Sequence, residues 1–481
     1  MSNPRLVVVS NRIPISFRRQ KGKLVTQSSA GGLVSALEPV LQQHGGTWVG
    51  NAGTEDSAEL QRQLDAETRG GNFRYVPVIL TEEEQAKYYE GFSNEVLWPL
   101  FHDLQSLCHF DPEYWDFYDR VNRKFAEAIH STAERSDTVW VQDYQLLRVA
   151  HALRQIRPDS TVSFFLHIPF PPPDIFAKLP WRREVLEGLL AYDFVGVQTA
   201  RDERNLVASV RSFVPSVKIV APGRDEKGVL TARGTTRIQA IPISIDFKDF
   251  SAAASSEAVA ERVKDIRNQN PGMEIAIGVD RLDYTKGIPE RMRAFRAFLR
   301  LYPDFRRKIT FIQIVVPSRE GILGYQDLLS DIERLVSAIN GEFAEPGWTP
   351  IQYMHRSIPR DELLALYRSA GIALVTPLKD GMNLVAKEYC AAHVENTGVL
   401  ILSEFAGAMP ELRTGAIAVH PYDELAIAKA IRHALQMPNS ERRRRMLRMR
   451  RHIQQSDILR WRDRNLKQMR VPQEPSGKLA A

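Results

Sequence analysis

Short runs of β-branched and aliphatic residues alternate along the chain with longer amphipathic stretches. This alternation is typical of parallel sheets whose strands are joined by crossover helices. A first series of predicted strands comprises Leu6–Ser10, Thr47–Gly50, Thr138–Gln142, Thr161–His167, Phe194–Gln198 and Ile238–Ile241. A second series comprises Ile275–Val279, Lys308–Val315, Ile351–Met354, Ile372–Thr376, Val399–Leu402 and Ala416–Val419. The pattern therefore predicts an α/β fold with two doubly wound, Rossmann-like domains.

A polar stretch rich in alanine and serine, residues 246–257, separates the two series of strands. We therefore place an N-terminal domain at residues 1–245 and a C-terminal domain at residues 246–455. Helices are predicted at Gly32–Gln43, Tyr118–Ala133, Arg182–Ala191, Pro289–Leu301 and Glu424–Gln436. In such domains ligands collect at the carboxyl ends of the strands. Functional residues are thus expected directly after strands, facing a cleft between the domains.

The composition is that of a globular protein of two domains, with 481 residues, 43% hydrophobic and 25% charged. No run approaches the roughly 20 apolar residues of a membrane helix, and the N-terminus does not read as a signal peptide. The two cysteines, Cys108 and Cys390, lie far apart and each lacks a CxxC partner. We therefore expect a cytoplasmic protein with no disulfide framework, no zinc site and no membrane contact.

The formal net charge is +6, and much of the excess lies in residues 441–452. Arginines are interleaved there with Met446, Leu447 and Met449, which is typical of a solvated helix face. No nucleic-acid reader motif or aromatic stacking pattern accompanies the charge, so no nucleic-acid partner is predicted. A positive net charge does suit small anionic substrates.

The first strand of the second series leads into a loop that carries two cations, Arg281 and Lys286. Two cations at the end of a strand can neutralise a diphosphate and stabilise the charge that develops as it leaves. The alternative is a salt-bridged loop, because Asp280 and Asp283 are available as partners.

Asp380 and Gly381 follow a later strand and are expected to form a turn before a helix. The first N–H groups of such a helix attract an anion. Glu388 lies about two turns along, where a carboxylate can accept hydrogen bonds from both hydroxyls of a ribose. Met382 and Leu384, taken alone, would be typical packing residues.

The first domain contains weaker sequence signals for anion binding. Residues 28–33, Ser-Ser-Ala-Gly-Gly-Leu, open a predicted helix, and the glycine pair would let an anion approach the backbone closely. A Gly-Gly pair before a helix is equally often only a turn. Arg12 comes directly after a strand, where it can hold an anionic ligand or form a surface ion pair.

Longer motifs run along the chain in order: Val8-Val-Ser-Asn-Arg12, Ser29-Ala-Gly-Gly32, Tyr88-Tyr-Glu-Gly-Phe-Ser-Asn-Glu-Val-Leu-Trp-Pro99, Phe164-Phe-Leu-His-Ile-Pro-Phe-Pro171, Arg281-Leu-Asp-Tyr-Thr-Lys-Gly287, Asp380-Gly-Met-Asn-Leu-Val-Ala-Lys-Glu-Tyr389 and Ser403-Glu-Phe-Ala-Gly407. Through these motifs nearly the whole chain resembles the trehalose-6-phosphate synthases, retaining glucosyltransferases of GT-B architecture. The resemblance implies an enzyme that joins glucose from a nucleotide sugar, UDP-glucose, to glucose 6-phosphate.

The resemblance also implies residue roles. On the donor side, Arg281 and Lys286 clamp the diphosphate, Glu388 binds the ribose, and the backbone of Gly32, Leu384 and Val385 approaches the phosphates. Asp380, the backbone of Gly381, Met382 and Asn383, and His167 hold the transferred glucose. On the acceptor side, Arg12, Tyr89, Trp98 and Arg319 form the 6-phosphate pocket, and Asp143 lies by the reacting centre. Taken alone, His167 after a strand is more typical of a structural histidine.

The mechanism implied by the resemblance retains the anomeric configuration and uses neither a carboxylate nucleophile nor a metal or other cofactor. The family also implies a homo-oligomer, a dimer or tetramer, and a C-terminal helix at about residues 456–475 that packs back on the first domain. The base of the nucleotide stays open.

Three positions depart from the family's pattern. Gln142 and Gln145 stand where histidines are usual, and Asn51 stands where tryptophan is usual. Glutamine forms hydrogen bonds but does not titrate near neutral pH, and asparagine offers no stacking wall. Two alternatives therefore stay open: a synthase with another phosphorylated acceptor, such as a glucosylglycerol-phosphate synthase or a pseudo-glycosyltransferase, and a non-catalytic sugar-phosphate sensor.

Overall fold

A computed structural model describes residues 5–20, 23–28, 34, 37–38, 40–42, 45–54, 57–68, 71–221, 227–318 and 323–469. The chain divides into two compact units. The first contains Met1–Pro242 and Leu459–Ala481, and the second contains Ile243–Ile458. Each unit is built around a mainly parallel sheet flanked by helices.

In the described part of the first unit, nine strands form one sheet in the order β5-β4-β1-β6-β7-β8-β11-β10-β9, and β2 and β3 form a hairpin. The strands are β1 Leu6–Arg12, β2 Ile15–Gln20, β3 Lys23–Ser28, β4 Gly46–Asn51, β5 Phe73–Val78, β6 Thr138–Gln142, β7 Thr161–Phe165, β8 Phe194–Val197, β9 Lys218–Val220, β10 Lys227–Thr231 and β11 Gly234–Ala240. Strand β1 pairs in parallel with β4 on one side and β6 on the other. The carboxyl ends of β4, β1, β6 and β7 therefore lie side by side.

Helices of the first unit join these strands. They are Ala58–Glu67, Glu82–Glu84, a π-helix Gln85–Leu97, Trp98–Phe101, Pro112–Thr132, Val149–Ile156, Pro173–Phe176, Arg182–Leu189 and Ala200–Phe213, with short 3₁₀ helices at Gln105–Leu107 and Tyr144–Leu146. The C-terminal helix, Ile458–Met469, adds to the core of this unit, because Trp461 stacks on Trp140 with ring centres 5.3 Å apart. Both indoles are fully buried.

In the described part of the second unit, six parallel strands lie in the order β14-β13-β12-β15-β16-β17. They are β12 Glu274–Arg281, β13 Ile309–Val316, β14 Ile351–His355, β15 Ile372–Val375, β16 Val399–Ser403 and β17 Ile417–Val419. The helices are Phe247–Ala254, Glu257–Gln269, Ile288–Leu301, Leu323–Phe343, Arg360–Ser369, Leu384–Ala392, Met409–Leu412, Glu424–Gln436 and Asn439–Gln455, with 3₁₀ helices at Tyr284–Lys286 and Pro303–Phe305. The chain runs outward from β12 to β14 and then returns to β15 beside β12, so the order reverses between these two strands.

The predicted α/β class with two doubly wound domains is confirmed, and every predicted strand overlaps an observed one. The hairpin β2–β3 and the strands β5, β9 and β10 were not predicted. The polar stretch 246–257 is mainly helical rather than extended, with Asp246 capping the first helix. Half of the predicted helix Gly32–Gln43 lies outside the described residues.

The arginine-rich run forms the helix Asn439–Gln455, with Met446 and Met449 buried and Leu447 exposed. Most of its arginines are solvated as predicted, but two have structural roles. Arg442 is buried and pairs with Glu274 at 3.2 Å. Arg450 donates to the carbonyl oxygens that end the helix Leu384–Ala392.

Candidate active site

Arg281 and Lys286 follow strand β12 in the second unit. Arg281 is the last residue of the strand and is exposed, and Lys286 ends the 3₁₀ helix Tyr284–Lys286. Gly287 comes next with a φ of +63°, and a Cβ there would lie 2.5 Å from the carbonyl oxygen of Thr376. Only glycine fits this close approach, so the loop is held against the end of β15.

Lys286 forms an ion pair with Asp380. The ammonium nitrogen lies 2.6 Å from Oδ2 of Asp380, and the two side chains are only 10% and 14% exposed. Asn383 donates to the same oxygen at 3.1 Å. The structure thus brings together the two segments that the sequence singled out separately, the cationic loop and the turn before the helix.

Asp280 and Asp283, which the sequence offered as partners for the loop cations, both contact residues other than Lys286. Asp280 is buried and is held by Arg291. Asp283 accepts from the amide and the hydroxyl of Thr285, at 3.0 and 2.8 Å. Among the described residues, Lys286 thus pairs with Asp380 rather than with either of these two aspartates.

Arg291 is fully buried and joins the surrounding strands. Besides Asp280 on β12, its guanidinium donates to Gln313 on β13 at 3.0 Å and to the hydroxyl of Thr376, just after β15, at 3.0 Å. It also donates to the carbonyl oxygen of Lys286 at 3.1 Å. The Arg291 guanidinium thus joins β12, β13, the segment after β15 and the loop that ends at Lys286. These bonds fix the backbone that carries the Lys286 side chain.

Arg291 is not among the residues predicted from the sequence, although the chain carries a signal for it. In the helix Ile288–Leu301 the apolar residues Ile288, Met292 and Phe295 form the buried stripe, and Arg291 falls on that stripe. A charged residue on a buried face needs a partner, so it marks an internal ion pair.

The turn at Asp380 is packed backbone to backbone against the motif at residues 403–407. The amide of Asp380 donates to Phe405 at 3.2 Å, and the amide of Gly407 donates back to Asp380 at 3.0 Å. A Cβ on Gly407 would lie 1.8 Å from the carbonyl oxygen of Gly381. Gly381 and Met382 are buried in this contact, so the backbone that carries Asp380 is held firmly.

Asn383 caps the helix Leu384–Ala392. It adopts a left-handed conformation, with φ of +74°, and its side chain accepts from the amide of Ala386. The amides of Leu384 and Val385 belong to the first turn, whose N–H groups have no acceptor within the helix. This positive end of the helix dipole lies next to Asp380 and is suited to an anion.

Glu388 lies one turn further along the helix and is half-buried. The hydroxyl of Tyr367 lies 3.4 Å from its Oε2 atom. Burial raises the pKa of Glu388 to about 7. Hydroxyl donors of a ligand would favour its ionised form, so this carboxylate can act as an acceptor whose strength depends on pH.

In the first unit, the register of β1 and β4 places Arg12 beside Asn51. Arg12 is exposed, whereas Asn51 is buried. The Asn51 amide donates to Gln85 at 3.2 Å and accepts from the amide of Gly53 at 2.8 Å. The small side chain thus closes the turn after β4, a contact that the family's usual tryptophan could not make.

Tyr89 and Trp98 belong to the helical segment that includes the π-helix Gln85–Leu97. Tyr89 is half-buried. Trp98 is buried against aromatic rings, with centres 4.3 Å from His102 and 5.6 Å from Tyr144. Of the two, Tyr89 is the more accessible to a ligand.

Asp143 and His167 follow the neighbouring strands β6 and β7. Asp143 has a φ of +75°, and its amide donates to Phe165 at 2.8 Å. Its carboxylate accepts from the amide of His167 at 3.1 Å. The strain at Asp143 is thus offset by bonds that join it to the next strand, as is common at functional sites.

The His167 ring is held by Gln142, one of the residues that depart from the family pattern. Nε2 of His167 lies 2.9 Å from Oε1 of Gln142. Burial lowers the pKa of His167 to about 3, so the imidazole is neutral. With the proton on Nε2 donated to Gln142, Nδ1 is left as an acceptor, an assignment that follows from the hydrogen bond.

Two of the sequence-predicted site residues, Gly32 and Arg319, lie outside the described residues. Within the described ranges, His, Cys, Asp and Glu side chains form no group of three or more that could hold a metal ion. Arg281 and Lys286 place two positive charges at the carboxyl end of β12, and Lys379 places a third after β15.

Three features lie together at the carboxyl edge of the second unit's doubly wound sheet. They are the Lys286–Asp380 ion pair, the N-terminus of the helix Leu384–Ala392, and the Glu388 carboxylate, which is suited to binding a diol. With a second such unit in the same chain, these features define a sugar-nucleotide-dependent transferase of the GT-B class. The chain belongs to glycosyltransferase family 20, whose model matches residues 4–470.

Curated and solved relatives cover nearly the full length. A trehalose-6-phosphate synthase of Mycolicibacterium vanbaalenii is 44% identical over 95% of this chain and 94% of its own. A trehalose-6-phosphate protein from E. coli bound with UDP-2-fluoro glucose has a TM-score of 0.88 and 35% identity, covering 98% of this chain and 100% of its own. A UDP-forming α,α-trehalose-phosphate synthase from Burkholderia xenovorans in complex with glucose-6-phosphate has a TM-score of 0.86 and 34% identity, covering 97% and 100%.

None of the described helices is long and apolar enough to cross a bilayer.

Proposed function

We propose that this enzyme transfers glucose from UDP-glucose to glucose 6-phosphate and forms α,α-trehalose 6-phosphate with retention of configuration. The relatives named above support the reaction, and the ligands in the E. coli and Burkholderia structures support the two substrates. The observation in this chain that carries the proposal is the Lys286–Asp380 pair beside the first turn of the helix Leu384–Ala392.

On the donor side, Arg281 and Lys286 neutralise the diphosphate, and the amides of Leu384 and Val385 add the pull of the helix dipole. Asp380 and the backbone of residues 381–383 bind the hydroxyls of the glucose. Glu388 binds the ribose. We assign the second unit to the nucleotide sugar and the first to the acceptor.

The transfer needs no carboxylate nucleophile in this proposal. The acceptor hydroxyl attacks C1 of glucose on the face that the diphosphate leaves, the bond from C1 to the phosphate oxygen breaks, and the new glycosidic C–O bond forms. The hydroxyl proton passes to an oxygen of the departing phosphate. Lys286 and Arg281 stabilise the negative charge that grows on the leaving group, which is why they matter more than a general base.

We further propose that no metal ion takes part. The support is the pair of cations at the strand ends, which can supply the charge that a bound cation supplies in other transferases. Exhaustive treatment with EDTA followed by a rate measurement tests this. Unchanged turnover is expected, and loss of turnover that Mg²⁺ or Mn²⁺ restores would contradict it.

On the acceptor side, Arg12, Tyr89, Trp98 and Arg319 are proposed to hold the 6-phosphate, with Asp143 near the reacting hydroxyl. Neutral His167 is proposed to hydrogen-bond a hydroxyl of the transferred glucose through Nδ1. The exposed guanidinium of Arg12 and the half-buried ring of Tyr89 support the first assignment, and the His167–Gln142 contact supports the last.

The second candidate is a synthase with a different phosphorylated acceptor. Asn51 favours it, because its side-chain oxygen accepts from the amide of Gly53, a hydrogen bond for which a tryptophan side chain has no acceptor. Release of UDP should be measured with UDP-glucose and a panel of acceptors: glucose 6-phosphate, glucose, glycerol 3-phosphate and fructose 6-phosphate. Fastest release with glucose 6-phosphate is expected, and fastest release with glycerol 3-phosphate would select the second candidate.

We also propose that the enzyme works in the cytoplasm as a homo-oligomer. Two free cysteines, Cys108 and the buried Cys390, suit a reducing compartment. Light scattering during size-exclusion chromatography tests the oligomer, for which a mass of two or four chains is expected.

A further inference from the structure

The helix Leu384–Ala392 is buried except on one face. Leu384, Val385 and Glu388 are half-buried, and its other six residues are buried. These three are the residues of the helix to which donor contacts are assigned above. The hydrogen bond from Tyr367 to Glu388 is long, at 3.4 Å, and does little to hold the carboxylate. The direction in which Glu388 points is therefore set mainly by how the helix is anchored.

Lys387 anchors the helix on one side of Glu388. Its side chain is 1% exposed, and its ammonium group donates to the carbonyl oxygen of Ile243 at 2.8 Å and to Oε2 of Glu411 at 2.7 Å. Ile243 is the first residue of the second unit. An ammonium group is costly to bury unless it is paired and hydrogen-bonded, so these two bonds hold the side chain in one position.

Glu411 supplies the charge that the buried Lys387 needs. It lies in the short helix Met409–Leu412, and its side chain is 12% exposed. Burial alone would raise the pKa of Glu411, but the hydrogen bond from His452 and the charge of Lys387 outweigh burial and lower it. Glu411 is therefore ionised at neutral pH and forms a true ion pair with Lys387.

Tyr389 anchors the helix on the other side of Glu388. Its ring is fully buried, and its hydroxyl donates to the carbonyl oxygen of Ala370 at 2.9 Å. Because an α-helix has about 3.6 residues per turn, the side chains of Lys387 and Tyr389 leave the helix roughly 100° to either side of Glu388. Two such anchors prevent the helix from turning about its axis, so Glu388 keeps one direction.

We propose that Lys387 and Tyr389 are positioning residues for donor binding, which aim the Glu388 carboxylate at the two hydroxyls of the ribose. Both side chains are buried, so neither touches the donor itself. The inference rests on the ribose-binding role proposed above for Glu388. Loss of either anchor should weaken the contact with the ribose hydroxyls specifically, whereas a merely structural role would weaken all contacts with the donor together.

Two ligands measure the ribose contact: UDP, and 2′,3′-dideoxy-UDP, which lacks both ribose hydroxyls. Calorimetric titration of the full chain at pH 8, where Glu388 with its pKa of about 7 is ionised, gives a Kd for each ligand. The wild-type protein should bind UDP about tenfold or more tightly than the dideoxy ligand, because hydrogen bonds to a charged group are lost. The ratio of the two Kd values is the readout.

Tyr389→Phe removes one hydroxyl, and the carbonyl oxygen of Ala370 keeps a partner in Nε2 of His393 at 3.2 Å. The variant should bind UDP about two- to fivefold more weakly and the dideoxy ligand as the wild type does. The control is Tyr192→Phe. Tyr192 is also fully buried and donates to a backbone carbonyl oxygen, that of Leu146 in the first unit, and its variant should keep the wild-type ratio.

Lys387 is tested in a double variant, Lys387→Met with Glu411→Gln, which removes both charges of the buried pair. UDP should bind about fivefold or more weakly, and the dideoxy ligand should be unaffected. The matched control is Arg442→Met with Glu274→Gln, which removes both charges of another pair in the same unit and should keep the wild-type ratio. Circular dichroism checks that each variant is folded, and Tyr389→Phe decides the question if the double variant is not.

The outcomes separate this inference from the function proposed above. A ratio that stays at its wild-type value in Tyr389→Phe or in the double variant, whether or not both ligands bind more weakly, would overturn the positioning role of the residue changed and leave the role of Glu388 intact. A wild-type ratio near one would instead overturn the ribose-binding role of Glu388 and, with it, this inference.

Discussion

The strand ends of the two units are organised by different kinds of interaction. In the second unit, ion pairs dominate: Arg291 with Asp280, and Lys286 with Asp380. In the first unit, the described contacts are hydrogen bonds rather than ion pairs: His167 bonds to Gln142 and Asp143, and Asn51 closes its own turn. A buried ion pair cannot lose one member without leaving an unpaired charge, whereas a neutral contact can exchange one polar group for another. Substitutions at the ion pairs of the second unit should therefore cost more than substitutions at the neutral contacts of the first.

The largest expected effect comes from breaking the buried pair. Arg291→Met leaves the Asp280 carboxylate unpaired, and loss of one partner of a buried pair costs about 3–5 kcal/mol of unfolding free energy. The control is Arg293→Met on the same helix, where the arginine pairs with Glu290 and Glu424 at a partly exposed position. Its expected cost is below about 1 kcal/mol. Urea denaturation of both variants is the measurement, and equal losses would show that the network is not what organises this edge.

The next effect concerns the leaving group. Lys286→Ala should lower kcat by a factor of about 10²–10³ or more, because loss of one positioned electrostatic donor costs about 2.7–4 kcal/mol of transition-state stabilisation. Circular dichroism should show a folded protein. The control is Lys429→Ala, which removes an exposed lysine of the helix Glu424–Gln436 and should leave kcat unchanged. A near-normal kcat for Lys286→Ala would contradict the proposal that Lys286 stabilises the leaving diphosphate.

A smaller effect should appear in the pH dependence of donor binding. With a pKa of about 7, Glu388 is ionised above that pH and protonated below it. Protonation removes its ability to accept from both ribose hydroxyls, so the KM for UDP-glucose should rise as pH falls through 7, by roughly tenfold per unit at most. Glu388→Gln should have a raised KM that no longer changes in this range. A wild-type KM that stays constant from pH 6 to 8 would contradict the assignment of Glu388.

The smallest effect is expected at His167. With its pKa near 3, His167 does not titrate between pH 5 and 8 in the wild-type enzyme. Gln142→Glu places a carboxylate within hydrogen-bond distance of Nε2, and this charge should raise the pKa of His167. A new ionisation, with an effect of roughly a fewfold, should then appear in the pH profile of kcat/KM for UDP-glucose. An unchanged profile would mean that the Gln142 contact does not control the state of the ring.

The fold could be predicted mainly where strands are buried and strongly apolar. The missed elements have physical reasons. Strand β5 contains Pro77 and lies at the edge of the sheet, where proline is tolerated but lowers the strand signal. The hairpin β2–β3 carries several charged and polar residues, which weaken the alternation of apolar and polar positions that predicts a strand. The helix Pro112–Thr132 begins six residues before the predicted start at Tyr118, although Asp111 and Pro112 form a cap and first-turn signal.

The candidate site was predictable as a set of positions but not as a set of pairs. The order of strands placed Arg281 and Asp380 at one edge, as the rule for strand ends requires. The pairing of acids with cations depends on side-chain packing between segments that are distant in the sequence. The sequence therefore could not show that Asp280 pairs with Arg291 and that Asp380 pairs with Lys286. The π-helix Gln85–Leu97 that carries Tyr89 likewise depends on tertiary packing, because no residue pattern distinguishes its hydrogen bonds from those of an α-helix.

Identification of the product tests the central claim most directly. The enzyme should be incubated with UDP-glucose and glucose 6-phosphate, and the product examined by ¹H and ¹³C NMR together with the amount of UDP released. A non-reducing disaccharide phosphate with both anomeric centres α, formed in equal amount with UDP, is predicted. A β-configured product, or release of UDP without a disaccharide phosphate, would contradict the account.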